Sequence, residues 1–580
     1  MPHARFLRWI PTCALLCALP PCAASGPGER ALSRHGQVLE QQQREQLQEM
    51  QRRALGEAPP PGGAGEVLLP PADGRHIDGD CRPADTIALH GDTSLVPAAV
   101  SARITERYAG RCLGAAELET LLASITQSFL DRGLITTRAY LRDDRRGPDP
   151  EPDGRVLDID IVAGTIERYD AEGAIWPGGV FTAKPGDVLN LRDLEQGLEQ
   201  INRLRSHRAR LELRPGTAPG QTVVVVKDEA SLPVSLLTAY DNLGTTATGR
   251  NAVSAVATFE GLLGANEQIS VTRRQSIFPF GGAHRSAATG LRAQLPLGYR
   301  TFALDVSRTD YVNTLALPRG ARLAVSGATN TYGVGVDHVV LRDQRTRVTV
   351  SARLAVQSSR TWADDILLRV ASRNLSYAEV GADVTRRIGS GVLGGRVGIA
   401  HGLSLFGTRR DPAGLSRELP HAQFTKLTYE LGYSDRTGVL PVPGAPLTVS
   451  ARLTGQLARS SLFGSQQFVI GGPGTVRGFL DHSLSGDSGL LLRTEAGLPW
   501  RVQTIPGGPL VGRAYVGFDW GRVGSIARGV PGGALSGVAL GVVATWRGMS
   551  VDAQLSRAVS APSPRMREGL LFGMRLTFDL

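Results

Sequence analysis

Leu570-Leu571-Phe572-Gly573-Met574-Arg575-Leu576-Thr577-Phe578-Asp579-Leu580 closes the chain with a period of two. Leu570, Phe572, Met574, Leu576, Phe578 and Leu580 share one face, and Gly573, Arg575, Thr577 and Asp579 share the other. Side chains alternate across a strand, so this segment presents one wholly apolar side and one polar side. Large aliphatic and aromatic groups facing outward, with charge and glycine facing inward, are what a strand needs to stand between lipid and an aqueous lumen.

Working back from this end, the same texture reaches Pro233. Segments at 233–241, 250–260, 267–274, 285–295, 299–309, 323–340, 345–357, 372–385, 390–402, 422–435, 446–459, 488–498, 509–520, 536–546, 549–557 and 568–580 alternate between Gly/Pro/Asp turns. The reading is an all-β transmembrane barrel of about sixteen antiparallel strands over 233–580, within the ordinary range for outer-membrane barrels. An even count brings both ends to one side. Connections after even-numbered strands, such as Arg387-Ile388-Gly389 and Arg547-Gly548, are mostly short, and short turns face the periplasm.

The compartment agrees with this topology. Residues 1–24 carry Arg5 and Arg8, an apolar run from Ile10 to Leu19, and Cys22-Ala23-Ala24 as a cleavage site, the pattern of a secretory signal. No run of eighteen apolar residues occurs, so the chain is not a helical membrane protein. Cys13, Cys17 and Cys22 leave with the signal, and the remaining pair, Cys81 and Cys112, is expected to form one disulfide. The net charge of +10 is almost wholly arginine, Lys184, Lys227 and Lys426 being the only lysines. These arginines are scattered through alternating strands rather than clustered with aromatics, which argues for a polar lumen and against nucleic acid.

Between signal and barrel lie four further pieces. Residues 25–56 are expected to form a helix polar nearly all round, either solvated or lying in the pore as a plug. A Pro/Gly-rich linker follows at 57–79. Two compact α/β units occupy 80–163 and 164–229; Leu191, Leu194, Leu198, Ile201 and Leu204 line one face of a helix in the second, capped by Asn190.

One stretch breaks the barrel texture: Gly471-Gly472-Pro473-Gly474-Thr475-Val476-Arg477-Gly478-Phe479. Its four glycines and proline make a poor strand and a good loop, with one cation at the tip. The segment 467–485 falls between the eleventh and twelfth strands, and Val476-Arg477-Gly478-Phe479 resembles the VRGY/F signature of the Omp85 superfamily. Gly133-Leu134-Ile135-Thr136-Thr137-Arg138-Ala139-Tyr140-Leu141, the helix Leu191–Leu204, and Asp241-Asn242 with Gly244 and Thr248-Gly249-Arg250 are similar to segments of TpsB-type, or two-partner secretion, outer-membrane transporters. Outer-membrane barrels usually end in an aromatic, and here Leu580 is last with Phe578 two earlier.

The resemblance implies that the α/β units are periplasmic POTRA domains and that the barrel sits in the outer membrane. It implies that Gly472, Gly474, Val476, Arg477, Gly478 and Phe479 form an inward-folding translocation loop, with Arg477 paired to an acid on the barrel wall. Asp519 is the candidate acceptor and Glu495 the alternative. The related pattern F-x-D-x-G keeps Asp519 and Gly521 but has Gly517 in place of the aromatic, a departure expected to loosen the pairing. Substrate recognition would fall on Thr136, Thr137, Arg138, Tyr140, Arg192, Glu195, Gln196, Glu199 and Asn202, beside a POTRA edge with the helix Leu191–Leu204 supplying a groove. The implied partners are a secreted TpsA-like protein of haemagglutinin or haemolysin type, outer-membrane lipids and lipopolysaccharide, and the barrel-assembly machinery during biogenesis.

The alternatives are an Omp85-type assembly factor and a porin or uptake channel. No enzyme is expected: Gly486-Asp487-Ser488-Gly489 opens a strand, Gly472 and Gly474 lack a third dinucleotide-binding glycine, and neither a phosphate-binding loop nor a zinc-protease motif occurs. No cofactor or metal is expected.

Overall fold

A computed structural model describes residues 41–53, 67–68, 81–142, 156–172, 179–278, 283–316, 322–369, 371–435, 441–442, 445–503, 507–530 and 532–580. The signal segment, the first part of the expected helix and most of the linker lie outside the described residues.

Sixteen antiparallel strands close into a barrel in sequence order, from Val234–Asp241 to Leu571–Asp579, with a two-residue strand, Ile366–Leu367, added at the rim. Their lipid belt is the apolar set the alternation marks: Phe572, Leu570 and Leu580 are exposed, as are Val516 and Phe518 on the thirteenth strand, Leu510–Gly524. The fifth and sixth strands, Arg300–Ala316 and Arg322–Arg342, run longer than the sequence suggests. Their added residues at the shared connection include Asp310, Asn313 and Thr314, polar groups that mask the alternation while the backbone ladder continues between them.

The barrel is sealed where its first and last strands meet. The register joins Leu237 to Asp579 through Asp241 to Arg575, five pairs against the seventeen between the fifth and sixth strands. Side chains extend this short seam. Asn242 accepts from Met574 N–H at 2.7 Å and donates to Phe572 O at 3.2 Å, copying a backbone rung. Inside the wall, Asp241 is held by both Nη atoms of Arg274 at 2.6 and 2.8 Å, with Arg575 at 3.6 Å. The Asp241-Asn242 dipeptide is therefore a clasp, and Gly244 follows because a Cβ there would stand 2.0 Å from Gly249 O.

The first α/β unit has helices Ala98–Tyr108 and Ala115–Asp131 over a sheet of Thr86–Gly91, Val156–Val162 and Arg138–Leu141. Its core includes Leu118, Leu121, Ile125 and Phe129 from the second helix. A small ribbon, Arg82–Ala84 against Arg111–Leu113, was not expected, and the disulfide from Cys81, just before its first strand, to Cys112, in the middle of its second, ties the two strands at a Cα separation of 5.5 Å. In the second unit the helix spans Leu191–Asn202, with Asn190 Oδ1 accepting from Arg192 N–H at 2.9 Å. Leu194, Leu198 and Ile201 enter its core, and Gly197 makes room for the Phe181 ring, which a Cβ would meet at 2.2 Å. The sheet runs Val67–Leu68, Ala209–Pro215, Gln221–Asp228, Thr165–Glu172, so a piece of the linker takes the outer edge in parallel register with Leu211 and Glu212.

Residues 41–53 form a helix inside the barrel. Met50 packs with Val256 and Leu237, and Leu47 and Gln51 lie over Gly290. Of the two surroundings the sequence leaves open for this polar surface, water or the pore, the described part faces the polar lumen.

Candidate functional site

The loop between the eleventh strand, Thr448–Ala458, and the twelfth, Ser488–Val502, turns into the lumen. It leaves the wall as a small hairpin, Phe468–Ile470 paired with Leu484–Gly486. Gly471 at φ +99° and Gly472 at φ +133° then reverse the chain in conformations that L side chains rarely adopt. Val476 and Phe479 anchor the tip in an apolar cluster with Ile470, Leu491, Val523 and Leu535. Gly478, at φ +91°, passes so close to Arg557 that a Cβ would stand 2.3 Å from its carbonyl carbon. Gly521 lies against Ile470 and Val476, where a Cβ would be a tight contact at 3.0 to 3.3 Å. Gly474 is unconstrained by neighbours.

Between the Val476 and Phe479 anchors, Arg477 points into the wall with 1% of its side chain exposed. Its Nε and Nη2 grip Asp519 at 2.6 and 2.7 Å, and its own N–H donates to the same carboxylate at 3.0 Å. Nη1 reaches Glu495 at 2.7 Å, and Nη2 also donates to Thr494 O at 3.3 Å. The two acceptors left open by the sequence are thus used together. The strand register explains it: Glu495 lies opposite Gly517 and Arg493 opposite Asp519, so the carboxylates sit diagonally on adjacent strands and bracket one guanidinium. Arg513 donates to the other Glu495 oxygen at 2.9 Å, and Arg493 to Pro473 O at 3.0 Å.

Gly517 corrects an expectation. Rather than loosening the pair, the glycine provides its space, because a Cβ there would lie 2.3 Å from Arg477 Nη2. On the far side Gly537 does the same for the Arg477 carbonyl, 1.7 Å from where its Cβ would be. The lumen helix meets this loop: Gln42 Nε2 donates to Gly471 O at 3.4 Å and Arg44 Nη2 to Ser465 O at 3.1 Å.

The residues assigned to substrate recognition divide differently. Thr137 is fully buried between the two α/β units, its Oγ1 accepting from Gly164 N–H at 3.1 Å, and Thr136 sits against Gly164. Arg138 donates to Ile135 O and Thr137 O. Tyr140, 45% exposed on the edge strand Arg138–Leu141, is the one of this set most open to solvent in the first unit. On the helix Leu191–Asn202 the polar face is covered by the barrel's short turns. Glu199 pairs with Arg342 and Arg347, Gln196 accepts from Arg342 at 3.0 Å, and Arg192 with Glu195 forms a pair at 2.8 Å. Asn202 buckles the helix to Ala209. Asp193, Arg203 and Arg205 add Tyr299, Gln268 with Gln294, and Asp579. The expected groove beside this helix is filled on one side by its own domain's core and on the other by the barrel. Nothing in the sequence marks a polar helical face as covered by another domain's turns, so this junction was not legible there.

The model of the family described as haemolysin secretion/activation protein ShlB/FhaC/HecB matches residues 220–544. The chain belongs to that family. Models of a ShlB-type POTRA domain and a POTRA domain match 83–164 and 166–215. The outer membrane transporter CdiB of Escherichia coli is 30% identical over 512 residues, 87% of this chain and 82% of the relative. The hemolysin transporter protein ShlB of Serratia marcescens is 26% identical, over 90% and 87%. Among solved structures, CdiB from Escherichia coli superposes with a TM-score of 0.79 at 28% identity, covering 96% of this chain and all of the other. This ShlB/FhaC/HecB chain is therefore a two-partner secretion transporter of the outer membrane, with its POTRA domains in the periplasm.

Proposed function

We propose that this transporter recognises an unfolded, Sec-exported TpsA-type partner through its POTRA domains and passes it through the barrel to the cell surface, the cargo being a haemolysin or adhesin. The observation that carries the reading is the meeting inside one barrel of the helix 41–53 and the loop held by Arg477 on Asp519 and Glu495. Both lie in the path of a translocating chain, and the contacts between them, Gln42 to Gly471 O and Arg44 to Ser465 O, are polar ones that a wet lumen can replace. An extended cargo segment can add to a POTRA edge through main-chain hydrogen bonds. The edge beside Tyr140 is open among the described residues, and the edge at Ala209–Pro215 is taken by Val67–Leu68, which an incoming strand would displace.

The free energy comes from the cargo: each emerging segment folds outside and cannot slip back. Outer-membrane lipid and lipopolysaccharide surround the apolar belt, and the barrel-assembly machinery inserts it. The test is Arg477→Ala in the full chain. The barrel is expected to remain heat-modifiable in the outer membrane while the surface proteome loses the same exported protein that a deletion strain loses. Normal export by this variant would sink the reading.

A further inference from the structure

We infer that Glu568, in the connection that feeds the last strand, is a positioning residue that fixes the outer end of the inward loop and couples it to the barrel seam; this rests on the translocation role proposed for that loop. Three consecutive backbone N–H groups, of Leu480, Asp481 and His482, converge on one oxygen of Glu568 at 2.9, 2.9 and 3.0 Å. His482 Nδ1 stands 3.2 Å from the same oxygen. The Glu568 side chain is 11% exposed. Successive amides arranged in this way form a concavity for an anion, and a carboxylate bonded by several N–H groups is held far better than a neutral acceptor would be.

The anchored residues lie three to five positions beyond Arg477, so the loop is gripped at both ends of one short stretch. Between the grips, Phe479 is buried and Gly478 presses on the Arg557 backbone, which leaves the chain little slack. The middle amide residue extends the connection. Asp481 accepts from Thr246 N–H at 2.6 Å, from Thr246 Oγ1 at 2.9 Å and from Arg250 at 3.1 Å, all in the hairpin after the first strand. Glu568 itself precedes the last strand, Leu571–Asp579. The outer end of the loop thus bridges the connections on the two sides of the seam, the shortest ladder in the barrel wall that joins the first strand to the sixteenth. Arg477 holds the loop against the thirteenth strand; Glu568 and Asp481 hold it against the seam.

The experiment uses the full chain in outer-membrane vesicles, with amide hydrogen exchange of the peptide covering 480–482 as the first readout. Exchange reports the local opening of each amide. Glu568→Ala is expected to speed it by about ten-fold or more, and Glu568→Gln, which keeps an oxygen acceptor without the charge, by less. Heat-modifiability is expected to stay at the wild-type level, which separates positioning from failure to fold. The second readout is export of the protein that a deletion strain loses from its surface, expected to fall several-fold in Glu568→Ala and to recover partly in Glu568→Gln. Unchanged exchange in Glu568→Ala overturns the anchor, and faster exchange with full export overturns its role in positioning. Normal export by Arg477→Ala strikes the loop's translocation role instead, and the exchange result distinguishes that failure from loss of the anchor.

Discussion

At the inner end of the pore loop one guanidinium is divided between two carboxylates, Arg477 between Asp519 and Glu495; at the POTRA–barrel junction one carboxylate, Glu199, serves two guanidiniums, Arg342 and Arg347. The signs are inverted but the arrangement is shared. The loop brings the shared charge to the wall in the first case, and in the second the helix brings Glu199 to the pair on the turns, with Glu195 of the same helix 3.9 Å from Arg342. A single substitution of that shared charge therefore removes every pair it makes in the charge cluster, whereas losing one wall partner leaves another in place. The surroundings differ as well. Asp519 is fully buried with its position set by the sheet, while Arg347 sits at the mouth of a short turn, closer to water.

The largest effect is expected from Arg477→Ala. Removing one member of a buried ion pair costs about 3–5 kcal/mol, because the remaining charge is left uncompensated. Here that cost falls on the inward loop position, and it is read as loss of export with the barrel intact. Glu199→Ala breaks the other cluster. Charge-assisted hydrogen bonds contribute about 1.5–3 kcal/mol each, and the expected outcome is a wider distribution of distances between spin labels on the second POTRA domain and the barrel rim. An unchanged distribution would show that Asp193, Arg203 and Arg205 hold the junction without Glu199.

A smaller effect is expected from Gly517→Ala, which puts a methyl where the guanidinium lies. Overpacking of a filled site costs about 1–3 kcal/mol, so export should fall by less than in Arg477→Ala. Full export would mean that the cavity beside Asp519 yields easily. The smallest effect concerns an exposed cluster, Glu212 with Arg214 and Lys227 on the second POTRA sheet. Hydrogen bonds from those two cations hold the Glu212 carboxyl at about 2, below the usual carboxylate range. A depressed pKa stabilises the fold above the unfolded-state pKa, and the contribution is lost as pH falls toward 2. Glu212→Gln should therefore lower the thermal unfolding temperature of the POTRA region slightly at pH 7 and leave it nearly unchanged near pH 2, which flattens the acid dependence between pH 5 and 2.

Alternation with a period of two is a local property, and it placed all sixteen strands, their lipid faces and the side on which the short turns lie. Cysteine parity and the secretory pattern pointed to the Cys81–Cys112 bond, and the glycine-rich break in texture marked the loop of Arg477. What local pattern does not carry is distance between strands. Whether Asp519 or Glu495 meets Arg477 depends on the register of two neighbouring strands, and that register brings both within reach. Gly517 reads as a missing aromatic until the guanidinium is seen in the space it leaves. Glu568 has no sequence signal at all, since its three donors are backbone amides 86 to 88 residues away. In isolation the polar face of Leu191–Asn202 reads as a substrate surface, and the polar helix at 41–53 as either solvated or lodged in the pore. Tertiary structure decided their surroundings, because a polar surface is satisfied equally well by water or by the turns and lumen of a barrel that the chain builds several hundred residues later.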